Sequence, residues 1–401
     1  MYRIGQPESK RVETLLDSGE IFRYGKAGEC DQFEADWGKR LGGVQVRMTT
    51  SGTASIYCAL IGLKVGPGDS VIVPSCTYMA TALAVVAAGA MPIIAEVDES
   101  ITLSPEDVER KIAPHTKAII PVHMWGLPCN MDALMTIAEK RGIKVLEDAC
   151  QAVGGGYKGR ELGSIGHAGA FSFNYFKNMT SGEGGAFVSA DESVFRRGSV
   201  AADCCSYYWN PDEHRPDEQF AGLNFRATEI SGAILNAQLE RIDEMLDRMR
   251  GHKRTLTKVG EDAGLTSITN NCPDCECGTH VGFIFDSEKN ARAFAKRISE
   301  LKGRAFLPID TGRHVYTRWD PIMRKQGAHH PALDPFNLPQ NKALNIEYSM
   351  DMCPDSLDIL SRAVLIGMHP DNDREKIDEL ADAIRTSAQV VNSSQPQPTT
   401  K

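Results

Sequence analysis

The sequence predicts an α/β fold in which a mostly parallel β-sheet is covered by helices on both faces. Short apolar runs recur at residues 71–73, 91–97, 117–122, 144–147, 169–173 and 186–189. Segments between them, such as residues 80–88 and 131–141, have the length and spacing of helices. Buried strands that alternate with helices are typical of parallel sheets whose two faces are both covered.

A large domain is predicted at residues 31–250. It begins with a predicted helix before the first strand and ends with a predicted helix after the last one. Residues 1–30 are predicted to be an N-terminal arm. A helix is predicted at residues 31–41, because Phe33, Trp37 and Leu41 follow one another at four-residue spacing. At the other end, residues 227–250 have apolar positions on one face and are predicted to form one long helix.

A smaller C-terminal α+β domain is predicted at residues 251–386. It contains a predicted strand at residues 281–285 and helices at residues 288–301 and 374–385, with a polar, proline-rich loop at residues 311–341. Residues 387–401 are rich in Ser, Gln, Pro and Thr, so we expect a disordered tail.

The composition excludes several classes of protein. The 401 residues are 42% hydrophobic and 24% charged, with a net charge of −9 and both signs interspersed. This balance argues against a nucleic-acid partner. No apolar stretch is long enough to cross a membrane, and residues 1–8 lack the apolar core of a secretory signal. We therefore expect a cytoplasmic protein.

Cysteine usage also fits a reducing compartment. The 11 cysteines are an odd number and are scattered along the chain, unlike the paired cysteines of a disulfide framework in a small secreted domain. One cluster, Cys272, Cys275, Cys277 and His280, has ligand types that suit zinc. However, no second pair of cysteines follows, and neighbouring side chains in Cys-x-Cys diverge on an extended chain. We favour a surface loop without metal.

Two residues indicate pyridoxal 5′-phosphate (PLP) chemistry. Asp148 follows a predicted buried strand, and Lys177 lies further on among small and polar residues. PLP enzymes need a lysine amine that binds the cofactor covalently and a carboxylate that pairs with the protonated pyridine nitrogen. Taken singly, each residue is better explained without a cofactor, Asp148 as a helix N-cap and Lys177 as a solvated surface charge.

Further candidates surround this pair. Gly52 and Thr53 precede an apolar helix, where exposed backbone N–H groups favour an anion such as phosphate. Ser172 can add its hydroxyl. Tyr78 follows a strand, so an aromatic ring is available to stack on a flat cofactor. The alternative for Gly52 and Thr53 is an ordinary helix N-terminus without a ligand, and the alternative for Tyr78 is core packing.

Taken in order, these motifs resemble the DegT/DnrJ/EryC1/StrS aminotransferases over nearly the whole chain. The resemblance rests on Ser51-Gly52-Thr53, Glu147-Asp148-Ala149-Cys150-Gln151, Gly182-Glu183-Gly184-Gly185 and Gly222-Leu223-Asn224-Phe225-Arg226, with further blocks at residues 74–81, 122–126 and 171–177. It implies the PLP fold type I, like that of aspartate aminotransferase. It also implies transfer of an amino group from L-glutamate or L-glutamine to a keto-sugar for amino-sugar biosynthesis.

The resemblance also implies residue roles. Lys177 and Asp148 would be catalytic, and Gln151 would approach the cofactor's ring hydroxyl. Gly52, Thr53 and Ser172 would bind the phosphate, with Tyr78 stacked on the ring. Asn224 takes the position of a residue that reaches the neighbouring subunit's phosphate site, which implies a homodimer with its active site at the interface.

A narrower resemblance concerns the acceptor. Residues 308–316, 327–331 and 351–357 are similar to enzymes that make 8-amino-3,8-dideoxy-D-manno-octulosonate, a lipopolysaccharide sugar, from the 8-oxo sugar acid. Substrate contacts would then include Arg226, Arg313, His314, His329 and His330. The alternatives are a nucleotide-linked keto-sugar or cyclitol aminotransferase, a PLP-dependent sugar dehydratase and a non-catalytic PLP-binding regulator.

Overall fold

The large domain is built on one β-sheet. The computed structural model describes residues 4–209, 215–301 and 303–392. The strands in this part are β1 (Gln45–Thr49), β2 (Ser70–Pro74), β3 (Met91–Ala95), β4 (Thr116–Ile119), β5 (Lys144–Asp148), a small hairpin of β6 (Gly156–Tyr157) and β7 (Arg160–Glu161), then β8 (Ala168–Ser172) and β9 (Gly185–Ser189).

The strands outside the hairpin form a seven-stranded sheet in the order β1-β9-β8-β5-β4-β2-β3. The pairs β2–β3, β2–β4, β4–β5 and β5–β8 are parallel. Strand β9 runs antiparallel to both β1 and β8, so β9 alone is reversed within this sheet. The carboxyl ends of the other strands therefore meet at one edge, where ligands bind in open α/β sheets.

Helices cover both faces of this sheet, as predicted. They are α1 (Gln6–Ser18), α2 (Glu29–Arg40), α3 (Gly52–Gly62), α4 (Ala80–Ala87), α5 (Pro105–Lys111), α6 (Met131–Arg141), α7 (Glu192–Ala202), α8 (Glu229–Leu239) and α9 (Ile242–Asp262). One hydrophobic core contains α3 and α4, and a second contains α2 and α6 on the opposite face. Both cores fix the strand ends that support the site.

The C-terminal region has its own sheet and core. The strands β10 (Thr266–Ser267), β11 (His280–Ile284), β12 (Ala305–Phe306) and β13 (Ala363–Gly367) pair antiparallel in the order β10-β11-β13-β12. The helices are α10 (Glu288–Glu300), α11 (Asp320–Met323), α12 (Pro339–Lys342), α13 (Pro354–Arg362) and α14 (Arg374–Asn392). This is the predicted α+β arrangement.

The predicted long helix at residues 227–250 is wrong. It is broken at Glu240 and Arg241, where Arg241 leaves helical geometry with φ −125° and ψ 6°. Gln238 binds the backbone of Thr180 through both atoms of its amide, at 2.8 and 2.7 Å, which fixes the end of α8. Helix α9 continues to Asp262, so the predicted domain boundary at residue 250 falls inside a continuous helix.

Three other expectations need correction. The arm at residues 1–30 contains the helix α1 and the start of α2. The loop at residues 311–341 includes α11 and α12, with Tyr316 and Trp319 fully buried. Helix α14 extends to Asn392, so residues 387–392 are helical rather than disordered because Ala388 and Val391 pack into the C-terminal core. Residues 393–401 lie outside the described residues.

Candidate active site

A cavity of about 570 Å³ opens at the carboxyl edge of the large sheet. Each neighbouring strand end contributes to its lining: Gly52 follows β1, Ser172 ends β8, Asp148 ends β5, Trp125 follows β4 and Tyr78 follows β2. Residues far apart in sequence meet here because the sheet aligns their strand ends. Lys177, Thr53, Gln151, Arg313 and His314 line the same cavity.

Lys177 lies in the loop that joins β8 to the reversed strand β9. The loop is closed by backbone hydrogen bonds between Phe173 and Gly184 and between Tyr175 and Gly182, both 2.8 Å. Gly182 has φ +86°, a left-handed conformation that favours glycine. Burial lowers the pKa of the Lys177 amine, as does the nearby Arg313 guanidinium. A lower pKa leaves more of the amine neutral and available for nucleophilic attack or proton removal.

Asp148 is held by hydroxyl and backbone donors. Its side chain is buried, and it accepts hydrogen bonds from Thr81 Oγ1 at 2.8 Å and from Cys150 N at 3.1 Å. Thr81 Oγ1 also lies 2.8 Å from Thr77 Oγ1. These donors fix the rotamer of Asp148 and leave the cavity side of its carboxylate free for a cation.

Glu147, the other acidic residue at this strand end, has a different role. Successive side chains of a strand point to opposite faces. Glu147 is buried away from the cavity and accepts backbone hydrogen bonds from Gly163 at 2.9 Å and Gly166 at 2.6 Å. It therefore anchors the loop before β8, and Asp148 is the carboxylate available to a ligand.

The N-terminus of α3 forms a cradle beside Ser172. Ser51 caps this helix by accepting the Ala54 N–H at 3.1 Å, and Gly52 and Thr53 of the first turn line the cavity. A Cβ atom added at Gly52 would lie only 2.8 Å from both Cys150 Sγ and Ser172 Cβ. A phosphate group fits this cradle, which combines the open space at Gly52, a helix N-terminus and the Ser172 hydroxyl. The remaining groups of PLP fit Lys177 and Asp148.

Replacing Gly52 by alanine is expected to weaken PLP binding at least about 10-fold and to destabilise the apoprotein by about 1–3 kcal/mol, because the new methyl group overlaps Cys150 and Ser172. Equilibrium dialysis with PLP and urea unfolding measure both effects. Gly251→Ala is the matched control, because a Cβ there meets nothing within 4 Å. Equal PLP affinity in the two variants would contradict the phosphate cradle.

Aromatic and imidazole rings form the opposite wall. The ring of His314 lies 5.9 Å from Tyr78 and 5.8 Å from Trp125, and Trp125 lies 6.5 Å from His280. Tyr78 remains 46% exposed, so its ring is free to stack on a planar ligand rather than buried in the core. This position argues against core packing for Tyr78.

Both histidines of this wall are neutral at physiological pH. Burial lowers the pKa of His280 from 6.5 to about 4, and Lys253 adds to the shift. Burial likewise lowers the pKa of His314 to about 4, with further contributions from Arg313 and Lys177. A neutral imidazole ring can donate a hydrogen bond to a ligand hydroxyl or accept one from it, and it adds no charge to the cavity.

We expect the apoprotein to lose stability between pH 6.5 and about 4, the range between the ordinary and the folded-state pKa of His280 and His314. There the unfolded chain binds protons that the folded chain does not, which costs roughly 1 kcal/mol per pH unit for each ring. Urea unfolding at pH 7 and pH 5 tests this. His314→Gln should lose less stability than the native chain, whereas exposed His330→Gln should match it. Identical losses in all three proteins would refute the expectation.

Some predicted site residues lie elsewhere in the described chain. Asn224 is exposed, and its side chain accepts a hydrogen bond from Arg226 N at 3.2 Å. Arg226 pairs with Asp203 at 3.2 Å, so its charge is already neutralised. His329 and His330 are exposed and do not line the cavity. Arg226, His329 and His330 do not line the cavity of the described subunit, because their segments do not follow the strand ends. Their contact with the substrate stays a prediction.

Sequence reasoning missed several lining residues. Trp125, which has a positive φ of 53°, lines the cavity, and its backbone N lies 3.4 Å from Gln151 Oε1. Thr81 and His280 also line the cavity. The position of Trp125 after a buried strand was an available signal, but nothing in the sequence predicted that His280 would reach the site from the C-terminal sheet.

The cysteine cluster does not converge. His280 faces the cavity, Cys277 Sγ lies 3.8 Å from Val153 O, and Cys272 Sγ accepts a hydrogen bond from Lys158 N at 3.4 Å. Within residues 4–209, 215–301 and 303–392, no three His, Cys, Asp or Glu side chains are placed to hold a metal ion. In the same ranges no helix has the length and apolarity needed to cross a bilayer.

Relatives share the sequence over much of its length. The chain is 38% identical to the GDP-perosamine synthase of Caulobacter vibrioides over 219 residues, 52% of this chain and 57% of that protein. It is 32% identical to the UDP-N-acetyl-3-dehydro-alpha-D-glucosamine 3-aminotransferase of Acidithiobacillus ferrooxidans over 338 residues, 84% of this chain and 82% of that protein. The first match thus spans little more than half of the relative's length.

A solved structure and a family profile point to the same group of proteins as these relatives. The crystal structure of 3-amino-5-hydroxybenzoic acid synthase superposes with a TM-score of 0.79 at 27% identity, covering 97% of each chain. The profile of the DegT/DnrJ/EryC1/StrS aminotransferases matches residues 3–311. The predicted fold class and the predicted PLP cofactor are therefore confirmed, and the chain belongs to the DegT/DnrJ/EryC1/StrS aminotransferase family.

Proposed function

We propose that this protein is a PLP-dependent aminotransferase that moves an amino group from L-glutamate or L-glutamine to a keto-sugar. The observation that supports this most directly is the shared cavity of Lys177, Asp148 and the cradle at Gly52 and Ser172. A phosphate-binding turn, a buried carboxylate and a lysine of lowered pKa are the groups that transamination requires.

Bound PLP supplies an electron sink for the carbon that loses or gains a proton. Lys177 would hold the cofactor, and its free amine would remove a proton from the donor carbon. In the second half-reaction the same amine returns a proton to the sugar carbon. Burial lowers the pKa of this amine, which favours its neutral form and its role as a base.

Asp148 and Tyr78 position the cofactor for these proton transfers. The buried Asp148 carboxylate holds a proton on the pyridine nitrogen, since an opposite charge in a low-dielectric site favours the protonated form. Tyr78 would support one face of the ring. Gln151, whose Oε1 lies 3.4 Å from Trp125 N, would contact the ring hydroxyl. Fixed orientation of the ring keeps the bond to be broken next to Lys177.

The proposal includes a homodimer. The loop of Lys177 presents Tyr175 at 39% and Phe176 at 76% exposure, next to the cavity that Phe176 also lines. Large exposed aromatic side chains are typical of protein interfaces. Asn224 is exposed and away from its own subunit's cavity, which is consistent with a contact to a partner's phosphate site.

For the acceptor we propose the 8-oxo form of 3-deoxy-D-manno-octulosonate, which would give the 8-amino sugar acid of lipopolysaccharide. The proposal rests on the sequence resemblance at residues 308–316, part of which the structure brings to the cavity as Arg313 and His314. A nucleotide-linked keto-sugar or a cyclitol is the alternative acceptor.

The visible absorption spectrum of the purified protein, loaded with PLP, tests the proposal before any acceptor is known. Addition of L-glutamate or L-glutamine should remove the absorption of lysine-bound PLP, and the matching 2-oxo acid should appear in stoichiometric amount. A spectrum unchanged by either donor would favour sugar dehydration or a regulatory role. A protein that binds no PLP would refute the proposal.

A further inference from the structure

Two cysteines of the cluster that holds no metal lie in one tight turn just before strand β11. Cys275 N and Glu276 N both donate hydrogen bonds to Cys272 O, at 3.1 and 3.2 Å. A turn closed between residues i and i+3 brings their Cα atoms to within about 7 Å of each other. Disulfides join residues whose Cα atoms are roughly 4.4–6.8 Å apart. The backbone of this turn therefore brings Cys272 and Cys275 close enough for a disulfide.

The side chains of the turn also meet. The thiols of Cys272 and Cys275 share a side-chain hydrogen bond. Cys275 is half-buried, whereas Cys272 is only 8% exposed and its sulfur accepts a hydrogen bond from Lys158 N at 3.4 Å. One thiol is thus open to a reagent from solvent, and the second lies beside it under cover. An attacking cysteine and a resolving cysteine have this arrangement.

Cys277, the third thiol of the cluster, is turned away from this pair. It is fully buried, and its thiol donates to Val153 O at 3.8 Å. Its backbone N donates to Gly126 O at 3.2 Å, which ties it to the loop after β4. A reagent in solvent therefore meets Cys275 before Cys277, and the neighbour that can respond is Cys272.

Cys204 and Cys205 are a second pair of neighbouring thiols and provide a comparison. Their sulfur atoms lie 3.6 Å apart, and Cys205 is exposed. However, the Cα atoms of consecutive residues are only about 3.8 Å apart, which is shorter than the range found in disulfides. A bond between them would distort the peptide unit that joins them. Turn geometry thus favours Cys272 and Cys275, although the thiols of the other pair are also close.

The turn supports the segment that enters the cofactor cavity. Cys275 O accepts a hydrogen bond from Gly156 N at 2.7 Å. Three residues further along the chain, Thr279 Oγ1 donates to Trp125 O, and both Thr279 and His280 line the cavity. Because so short a segment connects them, a covalent bond across the turn restricts the motion of these two lining residues.

We propose that Cys272 and Cys275 form a reversible disulfide, with a low-molecular-weight disulfide such as oxidised glutathione as the oxidant. The Cys275 thiolate attacks one sulfur of the oxidant, forms a mixed disulfide and releases one thiol. The Cys272 thiolate then attacks the Cys275 sulfur and releases the second thiol. Two protein thiols are oxidised, the disulfide of the oxidant is reduced, and the two protons pass through solvent to the released thiols. This site does not depend on the proposed function.

Equilibration of the native protein with increasing ratios of oxidised to reduced glutathione tests the site. After acid quenching, denaturation and alkylation with N-ethylmaleimide, peptide mass spectrometry identifies the cysteines that escaped alkylation. We expect Cys272 and Cys275 to be bonded to each other and Cys277 to be alkylated. Cys277→Ser should not change this result, whereas Cys272→Ser should accumulate glutathione on Cys275 because the resolving thiol is absent.

Three outcomes would overturn the assignment. The first is full alkylation of Cys272 and Cys275 even in oxidised glutathione alone, and the second is a disulfide that includes Cys277. The third is a Cys204–Cys205 disulfide that forms at a lower ratio of oxidised glutathione, since closeness of sulfurs rather than turn geometry would then decide.

Hydrogen exchange measures the link between the turn and the cavity. Amides of residues 276–280 should exchange at least about 3-fold more slowly in the oxidised protein than in the reduced protein. Helix α6, which lies outside the turn and the cavity lining, is the internal control and should exchange equally in both. Equal exchange at residues 276–280 in the two forms would overturn the link.

Discussion

Lys177→Ala is expected to lower transamination by at least about 10⁴-fold, because one change removes both the covalent attachment of PLP and the proton carrier. The fold should not change. No side-chain hydrogen bond of Lys177 occurs in the described part of the chain, and the loop is closed by backbone bonds such as Tyr175 N to Gly182 O. Release of 2-oxoglutarate in single- and multiple-turnover assays measures the effect.

The control for this variant is Lys289→Ala, which removes an exposed lysine from helix α10 and should retain full activity. Thermal unfolding and gel filtration of both variants establish that fold and assembly are intact. Measurable turnover by Lys177→Ala near the native rate would refute the assignment of Lys177 and, with it, the proposed function.

Much of the large domain could be predicted from local pattern. Buried parallel strands consist of nearly continuous apolar residues, so β2, β3, β5 and β8 were located to within a few residues. The break between α8 and α9 was not predictable. It depends on the contact of Gln238 with Thr180, which lies far away in sequence, whereas the apolar periodicity continues across the break.

The candidate site also divides into residues that local pattern predicts and residues that depend on long-range contacts. Four lining residues could be predicted from local pattern. Asp148 ends β5 and Gly52 begins α3, whereas Tyr78 and Lys177 lie in the loops that follow β2 and β8. Arg313 and His314 reach the cavity because their segment pairs with residues 75–79, a long-range contact that composition and spacing do not encode. His329 and His330, only slightly further along the chain, remain outside.

Asp148→Asn is expected to lower transamination by about 10²- to 10⁴-fold while PLP binding is largely kept. The amide has the same shape as the carboxylate and can still accept the hydrogen bond from Cys150 N. Its NH₂ group would face Thr81 Oγ1, and the hydroxyl pair of Thr81 and Thr77 can reverse its direction to accept that bond. The change therefore removes a negative charge and little else.

That charge matters because it keeps a proton on the pyridine nitrogen, and the ring withdraws electrons strongly only while it is protonated. Both half-reactions should slow by a similar factor, since the Asp148 carboxylate would serve the same ring nitrogen in each. Rapid-mixing absorption measurements of each half-reaction, with Asp132→Asn as a control for an exposed carboxylate that pairs with Lys158, separate this effect from weaker binding. A variant that kept the native rate in either half-reaction would show that the ring nitrogen is protonated without Asp148.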